Sequence, residues 1–541
     1  MAGTRSGGRA AWWALAAGLA AWTACAASMD NGLVGVVHDD GIYLATARSL
    51  RDGDGFRLPS RPGRPPSKYP IGLPGLIAAA SAIVPGPRSL ASEVAAGRAI
   101  VIVSGVATAV GIAVWLRRVG VRPWAATAIA LATVFHHVAL IGGATTIFAD
   151  LPFAAVAFAL LARWRRPDPS GLGRTPAESF ADGVLAAAGF LIRGNGVTLV
   201  AGSLVAAWLS GRRRAALFAC LAGLALAIVP AKLAFPKPAR AVPSGDYRLE
   251  MEAGWSSPGA GARLVARNLK AVAVDFPARV LLPNATYTNA VARWLDETPG
   301  ASMVVRGGAA LLAALGLLSL ARTSRRVDLP AWLHGTGTLA IFAVWPWASI
   351  MDRFLLPLFP IVMLAAGRGA SAIAGKVGAG AAGRRRVAGL TLALALVGNL
   401  GVAARAVVLF HAEGRQWPGA TRRASLAAAL AFLRDRTEPD AVAAAHWPEV
   451  VYLHTGRQGV PLTEDDDVML RRYGRIERLR LWLDQIPGRP FYLLLRLGAE
   501  DPDAVDAKQA GAVAADPRLA VRQVFRTPDG RYAVSKVDRR P

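Results

Sequence analysis

Apolar runs close to the length of a bilayer crossing recur through this chain, and tight arginine clusters separate them. A hydrocarbon core about 30 Å thick needs roughly 20 helical residues to span it. Such a chain folds as a helical bundle in lipid, because there each backbone N–H and C=O must find a partner within its own segment. Of the 541 residues, 53% are hydrophobic. Soluble domains hold roughly 45–50% even with Gly counted. The formal net charge is +26. On a soluble protein that would suggest nucleic acid. Here the arginines sit between apolar runs, which is the positive-inside pattern, so nucleic acid is set aside as a partner. Cys25 and Cys220 both lie inside apolar runs and read as small packing residues. No Cys/His pair has zinc-ligand spacing. Heavy use of Ala, Arg and Gly suggests a bacterial chain.

The clusters set the topology. Arg5 and Arg9 precede Ala11–Ala27, which reads as a retained anchor in preference to a cleaved signal peptide. The next clusters are Arg117/Arg118/Arg122, Arg163/Arg165/Arg166/Arg174, Arg212–Arg214, Arg322/Arg325/Arg326 and Arg384–Arg386. Placed in the cytoplasm, they must be separated by even numbers of crossings. The runs Ala91–Leu116, Trp124–Ile141, Leu151–Leu161, Phe180–Ile192, Val197–Leu209, Ala216–Leu233, Met303–Leu320, Ala331–Trp345, Phe354–Ala374 and Val387–Phe410 satisfy this. With the first helix they make about 11 crossings by the roughly 20-residue rule.

Parity leaves Ile71–Val84 between two exterior points. It is short and bracketed by Pro70, Pro74 and Pro85, so a re-entrant or interfacial helix is expected. The expected architecture is a polytopic α-helical membrane domain over residues 1–410. Its first exterior loop (29–91) carries two in-plane helices, Ile42–Leu50 and Ile71–Val84. A large exterior loop covers 235–301.

Residues 411–541 turn soluble. Helix is expected at Ser425–Arg434, Trp447–Thr455 and Tyr473–Ile486, and strand at Ala441–Ala445 and Phe491–Leu497. A hairpin around Pro528-Asp529-Gly530 would pair Val521–Arg526 with Tyr532–Val537. This predicts a small exterior α/β domain, read as an accessory module.

Acids are costly in a membrane protein, so their positions carry information. Few stand at the exterior ends of the spans: Asp39 and Asp40 on the first loop, Asp150 at the start of a span, and Asp352 beside Arg353 at another mouth. Arg193, close to Asn195, ends a span on the same side, and Lys68 lies on the first loop. Each has a plain structural reading. Acids favour helix N-termini, Arg snorkels, and Asp352-Arg353 is compatible with a local ion pair. His136 and His137 read as packing or interface groups. Tyr247, Trp255, Tyr287 and Trp294 in the large loop suit either sugar stacking or an interfacial belt.

Four segments resemble the GT-C glycosyltransferases, most of all the group that includes the aminoarabinose transferases and the protein O-mannosyltransferases. His38-Asp39-Asp40-Gly41-Ile42-Tyr43-Leu44-Ala45-Thr46-Ala47-Arg48-Ser49-Leu50 resembles their first exterior loop, with its Asp-Glu pair, aromatic and Ala-Arg-x-Leu ending. Lys68-Tyr69-Pro70-Ile71-Gly72-Leu73-Pro74 resembles Lys-x-Pro-Pro-x-x-Pro, and Phe148-Ala149-Asp150-Leu151-Pro152-Phe153 resembles Ser-Asp/Glu-x-Pro-Phe. Asp352-Arg353-Phe354-Leu355-Leu356-Pro357-Leu358-Phe359-Pro360 resembles Arg-Tyr-x-x-Pro-x-x-Pro. The order agrees and the likeness covers about residues 10–410. The chain departs at Asp40, where the family has Glu.

The resemblance implies a sugar on a polyprenyl phosphate, delivered at the outer face of the cytoplasmic membrane to a hydroxyl of a lipid, glycan or protein. Asp39 is then the base, with Asp150 as a second acid and Asp40 beside them. Lys68, Arg193 and Arg353 are the cations for the donor phosphate. Some relatives bind a divalent cation, and oxygen ligands here are compatible with one, but nothing in the sequence requires it. Two other functions compete. A transporter would carry its charges near the midplane, often in two related halves. An envelope assembly protein would act through the soluble tail.

Overall fold

A computed structural model of the protein describes residues 3–29, 33–35, 39–62, 67, 69–83, 89–140, 146–165, 174–234, 255, 257–283, 298–345, 351–412, 420–461, 475–497 and 515–540. Nine helices come first: α1 (Gly3–Ser28), α2 (Asp39–Arg51), α3 (Gly72–Ile83), α4 (Leu90–Arg118), α5 (Pro123–Phe135), α6 (Asp150–Trp164), α7 (Pro176–Ile192), α8 (Val197–Trp208) and α9 (Arg213–Ala234). Two helices from the large loop follow, α10 (Pro258–Lys270) and α11 (Phe276–Leu281). The bundle closes with α12 (Pro299–Thr323), α13 (Leu329–Ala343), the single turn α14 (Met351–Phe354), α15 (Phe359–Lys376) and α16 (Ala381–Ala412).

Among the described residues, six stretches are long and apolar enough to cross a membrane: Gly8–Ser28, Leu90–Arg118, Arg213–Ala231, Pro299–Thr323, Leu356–Lys376 and Ala381–Val408. Helices α5, α6, α7, α8 and α13 stand on the other expected spans but run only 12 to 17 residues. That is short of the roughly 20 a full crossing needs.

Local chemistry starts and stops the helices where the sequence signals it. Ser89 caps α4 in a capping box with Ser92, and Thr175 caps α7 with Glu178 before Pro176. Arg193 ends α7 in extended backbone, and one turn at Gly194–Gly196 precedes α8. α7 and α9 touch backbone to backbone, because a Cβ on Gly183 or Gly223 would collide with the facing main chain. Cys220 is fully buried at that crossing, as a packing residue should be.

The first of the two expected loop helices, Ile42–Leu50, is present as α2, which starts three residues earlier at Asp39 and is buried from Asp39 through Ala47. α3 and α4 cover one side of it, and a helix of the C-terminal domain covers the other. α3 packs beneath it with Leu73 and Ile77 fully buried. At 12 residues, α3 is about 18 Å long, too short to cross.

The C-terminal domain holds α17 (Ala420–Arg436), α18 (Pro448–Thr455) and α19 (Arg475–Gln485) around a five-stranded sheet. Its strands are β1 (Val442–Ala445), β2 (Gln458–Pro461), β3 (Phe491–Arg496), β4 (Leu519–Arg526) and β5 (Tyr532–Arg539), in the order β2-β1-β3-β5-β4. β1 pairs in parallel with β2 and β3, while β5 runs antiparallel to β3 and β4. Side chains alternate across the sheet, as the strand period of two requires. Ala443, Ala445, Tyr492 and Leu494 face α17 and α18, whereas Val442, Ala444, Leu493 and Leu495 face α19. β2 was not expected: it is a four-residue edge strand whose Gly459 and Pro461 are poor strand formers.

Candidate active site

Four chain breaks at one end of the bundle bring the candidate groups together. Asp39 opens α2, Asp150 opens α6, Arg193 ends α7 and Arg353 sits in α14. A carboxylate in the first turn of a helix faces unpaired N–H groups, which favour its charge.

The acids and guanidiniums form two pairs. Arg353 Nη2 donates to Asp39 Oδ2, and Arg193 Nη1 donates to Asp150 Oδ1. Tyr69 Oη donates to Asp39 Oδ1 at 2.6 Å. The Asp39 side chain is 10% exposed and that of Asp150 4%, so both pairs are largely withdrawn from water. Aromatic rings face the guanidiniums. Arg353 lies 4.2 Å from the Phe148 ring centre and 4.9 Å from that of Phe354, and Arg193 lies 4.3 Å from Phe354. Burial alone would lower the Arg353 pKa. Asp39 and Asp150 outweigh it and hold the pKa above its ordinary value. Arg353 is therefore a permanent cation shared between two acids. Asp150 Oδ2 is buried and has no hydrogen-bond partner among the described residues.

Other groups fall differently. Asp40 is 2% exposed. It accepts from Gly35 N at 3.1 Å and Gly41 N at 2.9 Å, and so ties the loop to the helix start. Lys68 lies outside the described residues, as do Tyr247, Tyr287 and Trp294. Asp352 does not pair with Arg353. Consecutive helical residues point apart, so Asp352 takes Arg279 Nη1 of α11 at 2.8 and 3.0 Å instead. His136 is fully buried, with Nε2 3.2 Å from Arg279 O and its ring edge-on to Phe359. Among the described residues, no three His, Cys, Asp or Glu side chains gather as a metal site would need. Tyr69, Phe148 and Arg279 were not expected at the site. Tyr69 follows Lys68 and Phe148 lies two residues before Asp150, but nothing in an aromatic says which charge it will meet.

The sequence matches no family model and no curated protein. Solved structures do match. ArnT from Cupriavidus metallidurans bound to undecaprenyl phosphate aligns over 97% of each chain, at a TM-score of 0.54 and 15% identity. The Archaeoglobus fulgidus oligosaccharyltransferase tethered with an acceptor peptide aligns over 98% of this chain and 74% of its own, at 0.54 and 13%. The same archaeon's AglB with an inhibitory peptide and a dolichol-phosphate aligns at 0.50 and 13%, over 96% of this chain and 74% of its own. The chain shares the fold of these solved structures. The likeness runs through the C-terminal residues as well as the helices, further than the motifs that first suggested it. The Asp39–Arg353 and Asp150–Arg193 pairs stand at the end of the bundle that carries the first loop.

Proposed function

We propose that this protein is a glycosyltransferase that moves a sugar from a polyprenyl phosphate to a hydroxyl acceptor, at the outer face of the cytoplasmic membrane. One observation carries the reading: two acids and two guanidiniums from four distant stretches form a shielded cluster in a GT-C fold. The structural neighbours were captured with undecaprenyl phosphate and with dolichol-phosphate, which supports a lipid phosphate as the donor's anchor.

The chemistry follows from the groups. The acceptor oxygen attacks the anomeric carbon and its proton passes to Asp39. The bond from that carbon to the phosphate oxygen breaks, its electron pair stays on the lipid phosphate, and the anomeric centre inverts. The leaving phosphate gains negative charge as the bond breaks, so fixed cations lower the barrier. Arg353 and Arg193 supply that charge, with Lys68 as a third. The donor draws Arg353 from Asp39 toward its phosphate and leaves the Asp39 oxygen open to the acceptor. A second reading has its own support: the unpartnered Asp150 Oδ2 suits Asp150 as the proton acceptor.

Lipid and glycan extracts of a deletion strain test the function. One sugar modification should disappear and return with the wild-type gene. Extracts identical to the parent's would sink the proposal. Sidedness has its own check. A reporter fused after Pro87 should read exterior and one after Arg118 cytoplasmic. A cytoplasmic signal at Pro87 would mean that α3 helps to cross the membrane after all.

A further inference from the structure

The C-terminal domain grips the loop that carries Asp39 at both of its ends. At the near end, α18 lies against the start of α2. Gly41 has no Cβ, and one built there would stand 2.8 Å from Glu449 Cβ. Gly35, at φ +98°, faces Val450 in the same way. His454 Nε2 lies 3.0 Å from Val34 O. Leu33 of the loop is packed into the tail's own core with Leu430, Val450 and Tyr532. Conversely, Leu453 of α18 belongs to the helical core of the bundle.

At the far end, β2 holds the returning chain. Gly459 N donates to Ser60 O at 2.7 Å, and Gln458 Nε2 donates to Arg61 O at 3.2 Å. One buried ion pair joins the two grips. Arg61 Nε lies 3.1 Å from Glu449 Oε1, with the side chains only 6% and 0% exposed. A charged pair so far from water is costly unless its geometry is needed. Glu449 stands where both grips meet, against Gly41 on one side and Arg61 on the other. Asp40 ties Gly35 to Gly41, so the seat that α18 makes is passed to the helix turn that bears Asp39.

We infer that the C-terminal domain sets the position of the Asp39 carboxylate, and that Glu449, paired with Arg61 across the α18–α2 contact, is its main positioning residue. This rests on the proposed role of Asp39 in sugar transfer. The tail is then part of the catalytic apparatus and not a detachable accessory.

Glu449→Gln in the full-length protein tests it. Glutamine keeps the shape and a hydrogen-bond acceptor but removes the charge. The kcat should fall between about tenfold and 10²-fold, as for a reacting group displaced by a fraction of an ångström to an ångström. The KM for a polyprenyl-phosphate sugar should change little, because Asp150 and Asp39 hold Arg193 and Arg353, while Glu449 holds Arg61. Amide hydrogen exchange across residues 40–51 should quicken. The double variant Arg61→Met/Glu449→Leu replaces the pair by apolar contact and should recover most of the lost kcat. If the double variant stays as slow as the single one, Glu449 acts through its charge and the positioning role is wrong. A folded Glu449→Gln protein with unchanged kcat and unchanged exchange also overturns it. If the wild type transfers no sugar from any polyprenyl-phosphate donor, the functional reading has failed instead. The exchange at 40–51 then still decides whether the tail holds this helix.

Discussion

Asp39→Asn is expected to lower turnover by roughly 10²–10⁴-fold, the range for losing a positioned proton acceptor. Donor affinity should hold or rise. Asparagine keeps the size and one acceptor oxygen, so the hydrogen bond from Tyr69 can persist. It also removes the anion that holds Arg353, which leaves the guanidinium freer to meet a phosphate. That combination, slower chemistry with equal or tighter donor binding, separates a base from a residue that merely holds the donor. Asp40→Asn should be far milder, because Asp40 faces the Gly35 and Gly41 amides. Losing such a helix-start contact costs about 1 kcal/mol of local stability. A side-by-side assay of Asp39→Asn, Asp40→Asn and Asp150→Asn with a labelled polyprenyl-phosphate sugar decides the assignment. Should Asp150→Asn lose more turnover than Asp39→Asn, with donor binding intact, the proton goes to Asp150. If Asp39→Asn keeps wild-type turnover, Asp39 serves only to neutralise Arg353.

The helices were legible because lipid forces a simple code. Apolar length and arginine clusters marked α1, α4, α9, α12, α15 and α16 to within a few residues at most of their ends. The tail was legible where apolar, β-forming runs sit between turn signals, as in β3 and β5, and not in the four-residue β2. The acids Asp39 and Asp150 stood out because burying charge is expensive. Their partners did not, because pairing is a property of three dimensions. Asp352 and Arg353 are neighbours in sequence, yet they part to Arg279 and Asp39. The cover over α2 was hidden for a related reason. The covering helix α18 starts about 400 residues later in the chain, and no local pattern announces a contact of that span. Arg61 and Glu449 read as ordinary loop and helix charges until the fold closes over them.

Arg353 should give the other large effect, and the choice of substitution matters. Arg353→Ala strips the cation that Asp39 and Asp150 share. Removing one partner of a buried pair destabilises by roughly 3–5 kcal/mol, so a dead alanine variant would not tell loss of fold from loss of chemistry. Arg353→Lys keeps the positive charge and should fold. What it loses is the planar guanidinium that donates through Nη2 to Asp39 while its carbon lies over the Phe148 and Phe354 rings. A lysine ammonium is a point charge on a flexible stem and is not held where the leaving phosphate develops charge. Turnover should then fall by roughly 10²–10³-fold, the effect of losing one preorganised stabilising group. Because the phosphate is already charged in the bound donor, affinity should fall too, so kcat/KM drops further than kcat. This is the opposite signature to Asp39→Asn, where binding is kept. The measurement is paired kcat and KM on purified Arg353→Lys, with a thermal midpoint to show that the fold is intact. A stable lysine variant with wild-type kcat/KM would mean that Arg353 only balances the two acids, and the donor phosphate would then have to be met by Arg193 and Lys68 alone.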